Sequence, residues 1–263
     1  HIRHIHQIQL CRHIHQNNLL PQRNYHHNHN FLLHMYNRPL RQSYMQAHHH
    51  IIYIESNHLL HWSLDNNLID PEVYKKWYGI KHGSKKLISK SIYAITEFSK
   101  RKISNYKIIS CPGCYPTSAQ IPLIPLIKKK LIKTNNIIID SKSGYSGAGK
   151  KIKEKFKFKF LFDSVRAYGV GSHRHMVEID QELSKVAGRK INVSFTPHLI
   201  PMFRGILSTI YIETKNGKGA KNIYNFLKKY HKNNIFFKIS KFNTPIGTGD
   251  VMNTNLCQVS VCT

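Results

Sequence analysis

Glycine is absent from the first 78 residues of this 263-residue chain, and no acidic residue precedes Glu55. The opening segment therefore cannot build a glycine-rich turn that cradles a phosphate. Acids are scarce throughout, 13 against 40 lysines and arginines. No apolar run approaches the roughly 18–20 residues needed to span a bilayer, so a membrane partner is not expected. A signal peptide is also missing, and the first residue is His1 rather than Met, which suggests a chain that begins inside a longer gene product. Cysteine is limited to Cys11, Cys111, Cys114, Cys257 and Cys262, too few and too irregular for a disulfide framework. A reducing, cytoplasmic setting is expected.

The formal charge of +27 raises the possibility of a nucleic-acid binder. The lysines, however, are spread along the chain rather than gathered with aromatics in one module. Lysine, isoleucine and asparagine are abundant together, the signature of an AT-rich coding sequence. No specific nucleic-acid partner is expected, only nonspecific attraction to phosphate.

The chain has two unlike parts. Residues 1–62 hold fourteen of the 19 histidines, and "HIRHIHQIQL" and "NYHHNHN" show neither clean helical nor clean strand periodicity. This part reads as a poorly ordered segment, such as the product of a shifted reading frame. A histidine-rich metal tract is the alternative. From Ser63 onward the sequence reads as globular. "DPEVYKKWYG" predicts a short helix opened by Asp70 and Pro71, and "YKIIS" and "NIIID" predict strands. "KFKFKF" alternates with period two and predicts a strand with one lysine face. "HMVEIDQELSKVAG" places Met176, Ile179, Leu183 and Val186 on one helical stripe, ended by Gly188. "INVSFTPHLI", "GILSTIYIET" and "NIFFKIS" predict strands, and "AKNIYNFLKKYHK" predicts a helix. The mixture places the chain in the α/β or α+β class.

"SCPGCYPTS" carries the chemistry. Pro112-Gly113 turns the chain after a strand, and Pro116 suits the first turn of a helix. Cys114 is therefore expected at a helix N-terminus, where free N–H groups and the helix dipole favour a thiolate. Cys111, at the strand end, lacks that help. A thioredoxin-type dithiol would need a compact βαβ context, and a zinc ribbon would need a second C-x-x-C. One nucleophile and one bystander fits better. In "SHRHMVEI", His173 and His175 open a helix, and Glu178 lies three residues beyond His175, where it can orient that imidazole. A metal pair or a capping patch is the competing reading of the two histidines.

Seven segments occur in one order: "SLDNNLIDPEVYKKWYG", "IYAITE", "CPGCYPTS", "SGYSGAGKK", "SHRHMVEI", "FTPHLIPMFRGIL" and "NTNLCQVSV". Together they resemble the N-acetyl-gamma-glutamyl-phosphate reductase family, related to aspartate-semialdehyde dehydrogenase. The resemblance runs from about Ser63 to Thr263. It implies an α/β fold in which a Rossmann nucleotide-binding domain precedes a glyceraldehyde-3-phosphate dehydrogenase-like α/β substrate domain. It also implies NADPH as cofactor, an acyl phosphate as substrate and a homo-oligomer; no metal is expected, because the two histidines have no further ligands in the sequence pattern. Cys114 would form a thioester and release phosphate. His175, steered by Glu178, would move protons, and N–H groups at the start of the Cys114 helix could hold the developing oxyanion. Ser143, His173, Arg174, His198 and Arg204 would bind substrate oxygens. The loop "SGYSGAG" could offer N–H groups to phosphate or could be only a tight turn.

The departures concern the cofactor half. The family's glycine-rich opening loop cannot be built before Gly79, Asn67 replaces a usual arginine, and Cys111 replaces a usual asparagine. The family's closing helix is not matched by Thr263. Only a remnant of the nucleotide domain is expected at residues 63–113, followed by the catalytic and oligomerisation domain at 114–245. Residues 246–263 would begin the return to the cofactor domain. A fragment of the family without activity, a basic nucleic-acid-binding protein and a Cys-x-x-Cys oxidoreductase are the alternatives.

Overall fold

The computed structural model describes residues 5–12, 52–54, 71–79, 85–99, 102–148, 163–215, 217 and 219–263. Asp70, the "KFKFKF" stretch and most of the histidine-rich tract lie outside the described residues. The "DPEVYKKWYG" helix forms as α1 (Pro71–Tyr78), and Gly79 takes φ +75 just past its end. Helix α2 (Lys85–Ile88), strand β3 (Ser91–Tyr93), helix α3 (Thr96–Ser99) and strand β4 (Ile108–Ser110) follow. Strands β2 (Ile52–Ile54), β4 and β3 make a small parallel sheet in that order.

Strand β4 feeds through Cys111-Pro112-Gly113 into α4 (Cys114–Lys128), the most buried helix of the chain. Twelve of its residues are buried, so it reads as apolar all round rather than as a stripe. Pro122 and Pro125 lie inside it. A proline has no N–H to give to the carbonyl four residues back, so Pro125 leaves the Ile121 carbonyl without its helical partner. The side chain of His231, just after helix α6 (Ala220–Tyr230), hydrogen-bonds that carbonyl. Its ring also stacks on Phe237 with centroids 3.8 Å apart.

The main sheet has seven strands in the order β6-β7-β5-β8-β1-β10-β9. These are β5 (Ile138–Ser143), β6 (Arg166–Ala167), β7 (Ser194–Leu199), β8 (Ile206–Glu213), β9 (Phe237–Ile239) and β10 (Cys257–Cys262). The remaining strand, β1 (Ile5–Arg12), comes from the segment expected to be poorly ordered. That expectation does not hold for Ile5–Arg12. It lies antiparallel between β8 and β10, with Ile8 opposite both Ile210 and Val261 and fully buried. Its own pattern is irregular. The two flanking strands supply the backbone partners and the apolar surface that select an extended conformation.

Helices α4, α6 and α5 (Arg174–Ala187) share one core with the sheet, through Leu123, Leu126, Ile179, Leu183, Ile223 and Leu227 among others. Gly188 ends α5 at φ +66, its N–H bonded to the Ser184 carbonyl, as the sequence pattern predicts. Strict alternation along β5 sends Ile139, Ser141 and Ser143 inward, and leaves Ile138, Asp140 and Lys142 on the other face, exposed or partly exposed. The result is a mixed α/β fold.

Candidate active site

Cys114 is the first residue of α4, with Gly113 as its N-cap. It is half-buried and packs against the main core. Glycine at the cap supplies no side-chain hydrogen bond to the first turn of the helix. Helix α5 begins beside it, with His173 as N-cap accepting from the backbone N–H of His175 at 3.2 Å. His173 is thus already engaged as a cap, and among the described residues no cluster of metal ligands occurs.

The imidazole of His175 lies against Gly113. A Cβ built on that glycine would fall 2.4 Å from Nε2 and 2.8 Å from Cε1. Only a residue without a side chain allows this approach, which brings His175 next to the cysteine turn. The His175 Nδ1 is buried without a hydrogen-bond partner. Burial pushes the His175 pKa well below its ordinary value, and the neighbouring His173 and Arg174 push it the same way. The ring is therefore neutral at pH 7 and able to accept a proton.

Glu178 is 1% exposed, and its Oε1 is 4.0 Å from His175 Nε2, longer than a hydrogen bond. Because the imidazole is neutral, the contact is not a formed ion pair. Oε2 accepts instead from the Gly113 N–H at 3.4 Å and from the Tyr93 hydroxyl at 3.3 Å. Burial raises the Glu178 pKa to about 7, against the lowering effect of those two donors.

Two tyrosines that sequence reasoning did not single out complete the cluster. The Tyr115 ring packs edge-on against His173, His175 and Phe195. Its hydroxyl meets that of Tyr168 at 2.8 Å, and the Ser143 hydroxyl bonds with both. Tyr115 directly follows Cys114 inside the quoted "SCPGCYPTS", whereas Tyr168 lies just before "SHRHMVEI", outside every quoted segment. A buried chain, Ser118–Ser208–Ser141 at 2.8 Å per step, ties the first turns of α4 to β8 and β5.

Not every expected residue joins the group. His198 pairs in register with Lys142, on the sheet face opposite Ser141 and Ser143. There its Nδ1 is 3.0 Å from Asp140 Oδ1, and Lys142 approaches the same carboxylate at 2.8 Å. Strand alternation along β7 puts His198 on the opposite face from Phe195 and Leu199. Arg204 lies over the Phe203 ring at 5.2 Å, in a turn bound to the glycine loop. That loop is a latch. The N–H groups of Gly144, Tyr145 and Ser146 donate to the carbonyls of Gly205, Met202 and Phe203. A Cβ at Gly144 would lie 2.7 Å from three backbone atoms of that turn. These three N–H groups are spent on the protein, so the tight-turn reading holds for them.

The profile of the semialdehyde dehydrogenase dimerisation domain matches residues 114–263, which begin at the nucleophile candidate. The chain belongs to the semialdehyde dehydrogenase family. It is 43% identical over 199 residues to N-acetyl-gamma-glutamyl-phosphate reductase of Afipia carboxidovorans, an alignment covering 76% of this chain and 56% of that protein. A probable chloroplastic N-acetyl-gamma-glutamyl-phosphate reductase of Oryza sativa subsp. japonica is 42% identical over 199 residues, covering 76% and 48%. The chain thus spans about half the length of the curated relatives it matches. In fold it is similar to aspartate semialdehyde dehydrogenase from Francisella tularensis, with TM-score 0.52, 12% identity and coverage of 67% and 63%. Aspartate semialdehyde dehydrogenase II from Vibrio cholerae gives TM-score 0.50, 16% identity and coverage of 72% and 66%.

A dinucleotide would need N–H groups presented by a glycine-rich turn at the end of a parallel strand. In this semialdehyde dehydrogenase chain the glycines before Gly113 are Gly79 and Gly83 alone. Gly79 ends helix α1 rather than a strand. The described residues do not build a turn that fits the pyrophosphate of such a cofactor.

Proposed function

We propose that this chain carries the acyl-transfer half of an acyl-phosphate reductase, with N-acetyl-glutamyl 5-phosphate as the acyl donor. The observation that carries this reading is the His175 ring seated on Gly113, a neutral base beside the cysteine that opens α4. Cys114 sulfur would attack the acyl carbon as its thiol proton passes to His175. The carbon–oxygen bond to phosphate then breaks, leaving a thioester on Cys114 and free inorganic phosphate. The carbonyl oxygen, negative in the intermediate, would be met by N–H groups of the α4 start. Tyr115, Tyr168 and Ser143 would supply hydroxyls, and Arg174 charge, for the substrate's carboxylate and phosphate oxygens. Reduction of the thioester to the semialdehyde would need hydride from a cofactor such as NADPH. No step of this chain is routed through that cofactor, because its described residues do not build the pyrophosphate site.

The family's dimerisation domain supports a homo-oligomer, as does a main-sheet face that no helix among the described residues covers. Ile138, Asp140, Lys142 and His198 lie on that face. The decisive experiment treats the protein with the acyl phosphate, then measures phosphate release and maps the adduct by mass spectrometry. One phosphate released per chain and an acyl group on Cys114, lost in Cys114→Ser, are expected. An adduct on Cys111, or phosphate release without any adduct, would overturn the reading.

A further inference from the structure

We propose that Tyr93, aimed by Gln120, is a positioning residue that fixes the Glu178 carboxylate from the side of the small parallel sheet. The proposal rests on the reading of Cys114 and His175 as the reacting pair. Tyr93 is the last residue of β3, outside the main sheet and outside the matched dimerisation domain. Its hydroxyl nevertheless reaches Glu178 Oε2 at 3.3 Å. Gln120 Nε2, from the second turn of α4, stands 2.9 Å from the same hydroxyl. An amide nitrogen can only donate, so Gln120 occupies a lone pair of the phenol oxygen. The phenol proton is then left for Glu178. Direction is thereby built in: Gln120 gives to Tyr93, and Tyr93 gives to Glu178.

One carboxylate oxygen is thus held from two elements, by Tyr93 and by the Gly113 N–H. With Oε2 fixed, the carboxylate cannot rotate freely, and Oε1 stays turned toward His175 Nε2. The groups that face Glu178 are His175, Arg174 and Glu182 from its own helix, Tyr93 from β3, and the Gly113 N–H from the loop before α4. Among these, Tyr93 and Gly113 favour the ionised carboxylate by donating to it, and Arg174 favours it by charge. Burial and Glu182 oppose them. Removing the phenol proton therefore favours the protonated acid. The β3 strand and the cysteine turn are coupled through this carboxylate, because Gly113 is also the surface on which His175 rests.

The test is the pH profile of Cys114 alkylation by iodoacetamide, read site by site by mass spectrometry with Cys111 as internal reference. An inflection near pH 7 is expected, absent in Glu178→Gln. In Tyr93→Phe it should move upward by about one pH unit, the size expected for loss of one hydrogen bond to a charged group. Gln120→Leu should move it the same way by less, with Cys111 labelling unchanged. A folded Tyr93→Phe chain with an unmoved inflection would overturn the proposal, as would a wild-type profile without a Glu178-dependent step. Should Tyr93→Phe fail to fold, Gln120→Leu decides on the same readout. Acylation by the acyl phosphate is scored separately: its absence in the wild type would sink the proposed function, while the inflection shift still decides the role of Tyr93.

Discussion

His175 and Gly113 touch so closely that no side chain can be added to the glycine: its Cβ would stand 2.4 Å from the imidazole Nε2. Gly113→Ala must therefore displace His175, shift the α4 start, or both. The expected outcome is a folded chain whose Cys114 acylation falls about 10²-fold or more, in line with the cost of a 1 Å misplacement at a reacting centre. Single-turnover phosphate release checks it. Unchanged rates in Gly113→Ala would remove His175 from the reaction.

The buried Glu178 predicts a stability change on the alkaline side. Its pKa in the fold is about 7, raised above the usual carboxylate value of 4.5. A group raised in the folded state contributes its full stability below the unfolded pKa and loses it as pH rises through the folded one. Melting temperature should therefore decline between about pH 4.5 and somewhat above 7 through this residue. In Glu178→Gln that decline should flatten. Thermal melts across pH 5–9 on both chains give the comparison.

His231 acts on the acid side. Burial lowers its pKa to about 4, from an ordinary 6.5. Its neutral form contributes stability that is complete above pH 6.5 and lost as pH falls toward 4, because the unfolded chain takes up the proton first. His231→Phe should abolish this acid sensitivity. It should also cost about 1–3 kcal/mol at neutral pH, since the Ile121 carbonyl freed by Pro125 would lose its partner. Urea unfolding at pH 5 and pH 7.5 separates the two effects.

Strand β1 can be caught chemically. Gln7 stands directly opposite Cys262 in the β1–β10 ladder. The variant Gln7→Cys should form an intramolecular disulfide with Cys262 on mild oxidation, seen as a linked pair of peptides in a digest. A linkage to any other cysteine, or none, would refute the placement of β1 within the main sheet.

With no pyrophosphate turn among the described residues, the chain is expected to fail as a complete reductase. Acylated Cys114 is expected to persist in the presence of NADPH, with no consumption of the nucleotide above the blank. Absorbance at the nicotinamide band, followed in the same reaction as the adduct, reports this. Turnover at an ordinary enzymatic rate would show that another part of the chain binds the cofactor.

Much of the chain from Cys114 onward was readable in the sequence because its signals are local. The Gly188 stop, the apolar stripe of α5 and the strand-turn-helix around Cys114 each depend on residues within one turn of each other. What escaped was contact across distance. His198 was expected to bind substrate oxygens, and only the pairing of β5 with β7 shows that it lies on the face opposite Ser143. The irregular "IHQIQLCR" carries no visible strand pattern, since its conformation is decided by two strands roughly 200 residues further on. Tyr93 and Glu178 are likewise 85 positions apart, and nothing in either neighbourhood announces the other.

The position of β1 also sets a schedule for folding. Ile5–Arg12 is made about 200 residues or more before either of its neighbours, Ile206–Glu213 and Cys257–Cys262. Until β8 and β10 exist, β1 has neither of its hydrogen-bonding edges, and loop closure over such separations is slow. The nascent protein thus carries an unpaired segment while all the intervening residues are made, a natural substrate for a chaperone. Pulse labelling during translation should find β1 open to protease until Cys257–Cys262 has emerged.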